Sequence, residues 1–101
     1  MQFWGLEPEW DDNNIEHIAR HVVEPEEVEE IVYEDCYPSW IVHIRRRWIR
    51  ETRWMVFGQT CGGWYLLAVI APYPRRGVWR AVSARDMERQ TRRRYQQWRR
   101  N

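Results

Sequence analysis

The sequence predicts an α+β domain: two N-terminal helices, a four-stranded antiparallel sheet and a C-terminal helix, all within residues 1–101. Three observations carry this reading. Apolar residues recur at helical spacing up to Tyr33, alternate with period two from Trp40 to Ser83, and then return to helical spacing. At 101 residues and 44% hydrophobic content, the chain has room for one domain with a modest core.

Residues 1–9, with Phe3, Trp4 and Leu6, read as a short edge strand or an arm over the core. Asp11, Asp12 or Asn13 can cap a first helix that buries Ile15, Ile18, Ala19 and Val22, with His17, Arg20 and His21 beside or opposite them. A second helix starts at Glu24-Pro25-Glu26-Glu27, where proline loses no useful donor and carboxylates suit the positive end of the helix dipole. Val28, Ile31 and Val32 form its stripe, and it ends near Tyr33. Four strands follow, at Trp40–Ile44, Thr52–Gln59, Trp64–Ile70 and Val78–Ser83. Gly62 and Gly63 supply positive-φ positions for a hairpin between the middle pair, and Pro72, Pro74 and Gly77 turn the chain between the last pair. Ser83 stands three residues before Asp86, a capping-box spacing that starts the last helix near Ala84. Met87, Thr91, Tyr95 and Trp98 then share one stripe, with Arg89, Arg92, Arg93, Arg99 and Arg100 flanking it.

The net charge of +1 conceals a division. Residues 1–35 hold twelve Asp and Glu against Arg20 alone, whereas residues 36–101 hold fifteen Arg against Glu51, Asp86 and Glu88, giving −11 and +12. Such a division suits a basic part that meets a polyanion, and intramolecular pairing of the halves accounts for it equally well. All sixteen basic residues are arginine, whose planar fork suits phosphate, although genome composition or a high growth temperature accounts for the absence of lysine more readily than mechanism does. Eight tryptophans in so small a chain leave some aromatic surface for base stacking or a protein interface. The longest apolar run, Trp64 to Pro72, is too short to span a bilayer and the N-terminus lacks a signal-peptide pattern, so a cytoplasmic protein without membrane contact is expected. Cys36 and Cys61 show no metal-ligand spacing and read as free thiols, a disulfide being the alternative.

Five stretches together resemble the BrnT family, ribonuclease toxins of type II toxin–antitoxin pairs with a RelE-like fold. Trp10-Asp11 resembles the family's early W-D, and Arg20-His21-Val22-Val23 followed by acidic residues resembles basic-His-Gly-Val, with Val22 in place of the glycine. Glu51-Thr52-Arg53 with Phe57-Gly58 resembles an E-x-R strand ending in glycine, and Gly63 with Leu66, Leu67 and Val69 a G-R-x-L strand in which Trp64 replaces the arginine. Arg80-Ala81-Val82-Ser83-Ala84-Arg85, with Arg93, Arg94 and Tyr95 beyond it, resembles R-x-I-S-A-R and a later R-x-x-Y. The resemblance implies a metal-independent RNA endonuclease that inhibits translation. It implies as partner a ribbon-helix-helix antitoxin encoded nearby, in a hetero-oligomer or beside a toxin homodimer. The departures from the pattern also suit a degenerate relative that binds RNA or a protein without cutting.

RNA cleavage through the 2'-hydroxyl needs a base, an acid and cations around the phosphorane-like transition state. His21, or His17 one turn before it, is the expected proton carrier, and Arg53, Arg80 and Arg85 the expected phosphate grip. Glu51 would orient an arginine or act as base. Arg20, Arg92, Arg93 and Tyr95 are the expected RNA-binding residues, although Tyr95 on the helix stripe reads first as core. No cofactor or metal is called for: a His pair spaced i, i+4 lacks a third ligand.

Overall fold

The computed structural model describes residues 3, 5–45, 52–72 and 77–101. In chain order it forms β1 (Glu7–Pro8), α1 (Asp12–Ala19), α2 (Pro25–Val32), β2 (Trp40–Ile44), β3 (Arg53–Gln59), β4 (Tyr65–Pro72), β5 (Val78–Asp86) and α3 (Arg89–Arg100). The α+β class is as expected, but the sheet has five strands in the order β1-β5-β4-β3-β2 rather than four. Strands β2 to β5 make the antiparallel meander, and β1 adds a parallel pair to the outer edge of β5. Glu7 and Glu9 donate to the Gly77 and Trp79 carbonyls at 2.8 Å each, and Pro8 between them, whose nitrogen faces away from β5, suits an edge strand.

Helix α2 matches the sequence reading at both ends. Pro25 opens it, the Glu27 carboxylate accepts from the Glu24 N–H at 3.0 Å, and Val28, Ile31 and Val32 are fully buried. Helix α1 starts as expected, with Asp11 and Asn14 forming a reciprocal capping box. Its buried face differs: Asn14 and Ile18 are buried, whereas Ala19 is exposed, Ile15 is 38% exposed and Val22 81%. Val22 is exposed because it lies beyond the helix, at φ 61°, in the turn that ends it.

Helices α1 and α2 cover one face of the sheet, where Ile18, Val28, Ile31 and Val32 pack on Val56, Leu66, Ala68, Ile70, Trp79, Ala81 and Ala84. The approach is closest at Gly58, where an added Cβ would sit 2.6 Å from Ser39 Oγ and 2.7 Å from Ile31 Cβ. Helix α3 lies on the other face, over a smaller cluster of Phe57, Leu67, Met87 and Tyr95 edged by Trp40, Val42, Met55, Tyr65 and Trp98.

The junction of β5 and α3 corrects the sequence reading. Ser83 is not a helix cap but pairs with Val69 in the sheet, and the strand runs on through Ala84, Arg85 and Asp86 opposite Ala68, Leu67 and Leu66. Burial of Ala84 in the larger cluster favours the continued strand, and Asp86 accepts from Trp64 Nε1 at 2.6 Å instead of capping a helix. The helix begins only at Arg89, although the stripe of Met87, Tyr95 and Trp98 does face the core. In the β3–β4 hairpin only Gly63 has positive φ, at 95°, and Gly77 at 79° is the positive-φ residue before β5. Pro74 and the second and third residues of Arg45-Arg46-Arg47 lie outside the described residues.

Cys36 and Cys61 are not free thiols: they form a disulfide between the α2–β2 loop and the β3–β4 hairpin, with Cα atoms 5.2 Å apart.

Candidate nucleic-acid interface

Strand alternation assigns the arginines of the sheet to a face. Ala81 and Ala84 enter the cluster beneath α1 and α2, so Arg80 and Arg85 belong to the opposite, α3 side. Pairing agrees, since Arg85 lies opposite Leu67, Arg80 opposite Ala71, and Arg53 opposite Ile44. A β-bulge between Val69 and Ile70 shifts the register between Arg80 and Arg85, which keeps both on this side although they stand five positions apart, an odd spacing. Arg53 and Arg80 are half-buried and Arg85 is exposed.

Helix α3 covers only the end of this face nearest Leu67 and Phe57. Beside it Val42, Met55, Val69 and Ser83 are all half-buried rather than sealed. Arg89, Arg92, Arg93, Arg94, Arg99 and Arg100 are exposed along the helix, so the α3 side carries most of the described positive charge. Some of these guanidinium groups rest on aromatic rings: Arg92 stands 5.7 Å from the Tyr65 ring centre and Arg99 4.7 Å from that of Tyr37. Arg99 also donates to Gln59 Oε1 at 2.6 Å.

Tyr95 is fully buried, and its hydroxyl donates to the Pro38 carbonyl. Burial pushes its pKa above the ordinary 10.0, against the opposing effect of Arg99. It therefore serves as core and as a tie to the α2–β2 loop, not as a base-stacking surface, which corrects its expected RNA-binding role. Tyr33 is similarly raised, again chiefly by burial, with its hydroxyl donating to the Leu6 carbonyl at 2.6 Å and accepting from Trp79 Nε1 at 2.9 Å.

At the outer edge of the sheet, beyond the short pairing with β1, a cleft is lined by Asp11, Asn13, Asn14, His17, Arg80, Ala81 and Val82. Residues 13, 14 and 17 share a helical face one turn apart, and α1 packs beside β5, which carries Arg80 to them. Asn14 is already committed, donating to the Glu9 carbonyl at 2.9 Å and accepting from the Asp11 N–H at 2.8 Å. His17 and Arg80 are the groups there with chemistry to offer.

His21 is exposed at the far end of α1 and lines none of these surfaces, as is Arg20, the helix C-cap. His43, the third histidine, stacks on Trp54 at 5.6 Å between ring centres and belongs to the face opposite α3. The structure thus joins His17 with Arg80, groups Arg53 and Arg85 with the arginines of α3, and leaves His21 apart. Glu51 lies outside the described residues.

No protein-family model and no curated protein matches the chain. Among the described residues no three or more His, Cys, Asp and Glu are grouped to hold a metal ion, and no helix is long and apolar enough to cross a membrane.

Sequence reasoning missed a pocket on the α3 side lined by Trp40, Met55, Phe57, Leu67, Arg85, Thr91 and Arg94. The signal was present: Trp40, Met55, Phe57 and Leu67 occupy same-face positions once the hairpin registers are drawn.

Proposed function

We propose that this protein is an RNA endonuclease toxin of the BrnT-like kind, acting without a metal in the cytoplasm and held in check by a ribbon-helix-helix partner. The observation that carries the reading is the shared cleft of His17 and Arg80, residues distant in sequence that supply a proton carrier and a phosphate clamp. In the proposed reaction the His17 imidazole takes the 2'-hydroxyl proton, and the oxygen attacks the adjacent phosphorus. Arg80 holds the phosphoryl oxygens as negative charge builds, and the P–O5' bond breaks, the departing oxygen taking a proton from water while His17 keeps the one it removed, to leave a cyclic phosphate and a 5'-hydroxyl. The exposed arginines of α3 then track the RNA backbone. Motif order supports the partner and the family reading.

A second reading, an RNA-binding relative that does not cut, is favoured by one observation: no histidine lies on the α3 side, where Arg53, Arg85 and the α3 arginines gather.

Incubation of unstructured RNA with the folded protein and EDTA tests both. Cutting is expected, with a loss of about 100-fold or more in His17→Ala and in Arg80→Ala and little change in His21→Ala. Intact RNA with the wild-type protein would remove the nuclease and leave the binder. Full activity in His17→Ala would remove this cleft as the centre.

A further inference from the structure

We infer that the pocket of Trp40, Met55, Phe57, Leu67, Arg85, Thr91 and Arg94 binds one nucleotide unit, its base against the apolar floor and its phosphate at the start of α3. The inference rests on the RNA reading for the source of that unit but not on any cleavage.

The floor comes from the sheet, where Phe57 and Leu67 are nearly buried and Met55 is half-buried. Trp40 forms a wall already fixed in place, 5.1 Å from the Phe57 ring centre and stacked on Trp98 at 6.2 Å with 13° between the planes. A ring that enters beside it meets an aromatic surface whose ordering cost is met in the unbound protein. The pocket holds about 260 Å³, just below the usual range for drug-sized ligands, and so has space for a single base with its sugar.

The rim sets the sign of the ligand. Arg85 and Arg94 are exposed at the mouth, and no acidic side chain lines the pocket. Thr91 lies in the opening turn of α3, whose backbone N–H groups point toward this end. That turn has no acidic residue, begins with Arg89, and its N-cap Glu88 makes no side-chain capping bond. Arginines at the positive end of a helix dipole are unfavourable without a counter-ion, and a phosphate placed between Arg85, Arg94 and Thr91 removes that repulsion. An aromatic ring with one phosphate fits both halves; a neutral ring leaves the rim unused and a bare phosphate the floor.

The same chemistry comes from a free nucleotide or from a residue of single-stranded RNA, and binding measurements separate them. The probes are uridine and adenosine monophosphates, inorganic phosphate, and a labelled hexanucleotide with one central position either normal or abasic. The wild-type protein is expected to bind each nucleotide at least tenfold more tightly than inorganic phosphate. The hexanucleotide is expected to weaken about tenfold or more when abasic. Arg85→Gln and Arg94→Gln, both at exposed side chains, are each expected to weaken both by about five- to tenfold, whereas Arg45→Gln, at an exposed residue outside the pocket, leaves mononucleotide binding unchanged. Methyl NMR signals of Met55 and Leu67 should shift with nucleotide and not with phosphate alone.

Equal affinity for normal and abasic RNA, with Met55 and Leu67 unmoved by either nucleotide, would overturn the pocket while leaving RNA binding by α3 intact. Mononucleotide binding that shifts Met55 without any affinity for the hexanucleotide would support the pocket and remove the RNA reading.

Discussion

Val22→Gly should stabilise this protein, against the general trend for mutation to glycine. Helix α1 ends with the Val22 N–H donating to the Ala19 carbonyl at 2.9 Å and the Val23 N–H to the Ile18 carbonyl at 3.2 Å, which are the two hydrogen bonds of a Schellman motif. In that motif Val22 must be left-handed, and its φ is 61°. A β-branched residue is poorly suited to that region, where even an ordinary L-residue costs roughly 1–2 kcal/mol. Its side chain is 81% exposed, so truncation gives up little packing. Against the relief stands the added freedom of glycine in the unfolded chain, about 0.4–1 kcal/mol. The balance is a gain of roughly 0.5–1 kcal/mol, or about 2–8 °C in Tm for a domain of this size. Urea and thermal unfolding of the oxidised protein at neutral pH measure it, with Val22→Ala as the comparison that keeps the left-handed cost. Stability equal to or below that of the wild type in Val22→Gly would show that the turn is not strained and refute the reasoning.

Reduction, or Cys36→Ser with Cys61→Ser, should lower stability by about 3–4 kcal/mol, because the bridge closes a loop between residues 25 apart; an unchanged urea midpoint would count against the bridge. Gly58→Ala should cost about 1–3 kcal/mol, since its new methyl meets Ser39 Oγ and Ile31 at distances no packed atom tolerates, and thermal unfolding reads the loss. Stability should also fall with alkali. Tyr33 and Tyr95 keep their protons above the ordinary 10.0 when folded, so the unfolded chain releases protons first and becomes favoured as pH rises past that value, whereas below it their contribution is complete. Tyr95→Phe should therefore lose less stability than the wild type between pH 8 and pH 11, and an equal loss would refute the assignment to Tyr95.

The parts of the fold legible in the sequence are those whose signals are local. Proline and three glutamates mark the start of α2, and period-two alternation marks β2 at both of its ends. Where local signals compete, the tertiary context decides. Ser83 and Asp86 have the spacing of a capping box, but Ala84 between them is needed in the core and Arg85 continues the pairing with β4, so the strand prevails. Two-residue β1 is too short to show a period at all. Val22 hides a helix end because a β-branched residue stands where the backbone has the left-handed conformation that glycine favours. In the site, the facing of Arg53 and Arg85 follows from alternation. That His17 and Arg80 line one cleft does not, because it depends on α1 packing beside β5. The disulfide is invisible for the same reason: its halves approach only after the β3–β4 hairpin folds back toward the end of α2.

The charge division gains its meaning from the same layering. The acidic residues of α1 and α2 lie on one side of the sheet and the arginines of α3 on the other. Each packed layer is roughly 10 Å thick, so the two helical layers stand roughly 20 Å apart, more than twice the physiological Debye length of about 8 Å. Pairing between the acidic helices and the arginines of α3, which the composition alone allows, is thereby prevented across the body of the protein. Glu34 is an exception that clarifies the rule, because it lies past the end of α2 in the loop that reaches Tyr95. The arginines of α3 are consequently left with their positive field largely uncancelled, concentrated near a half-open sheet face and the uncapped start of a helix. A polyanion that approaches from this side meets attraction from several guanidinium groups and is shielded by the sheet from the carboxylates behind it. That asymmetry explains how a chain of nearly zero net charge can present a strongly basic surface on the α3 side.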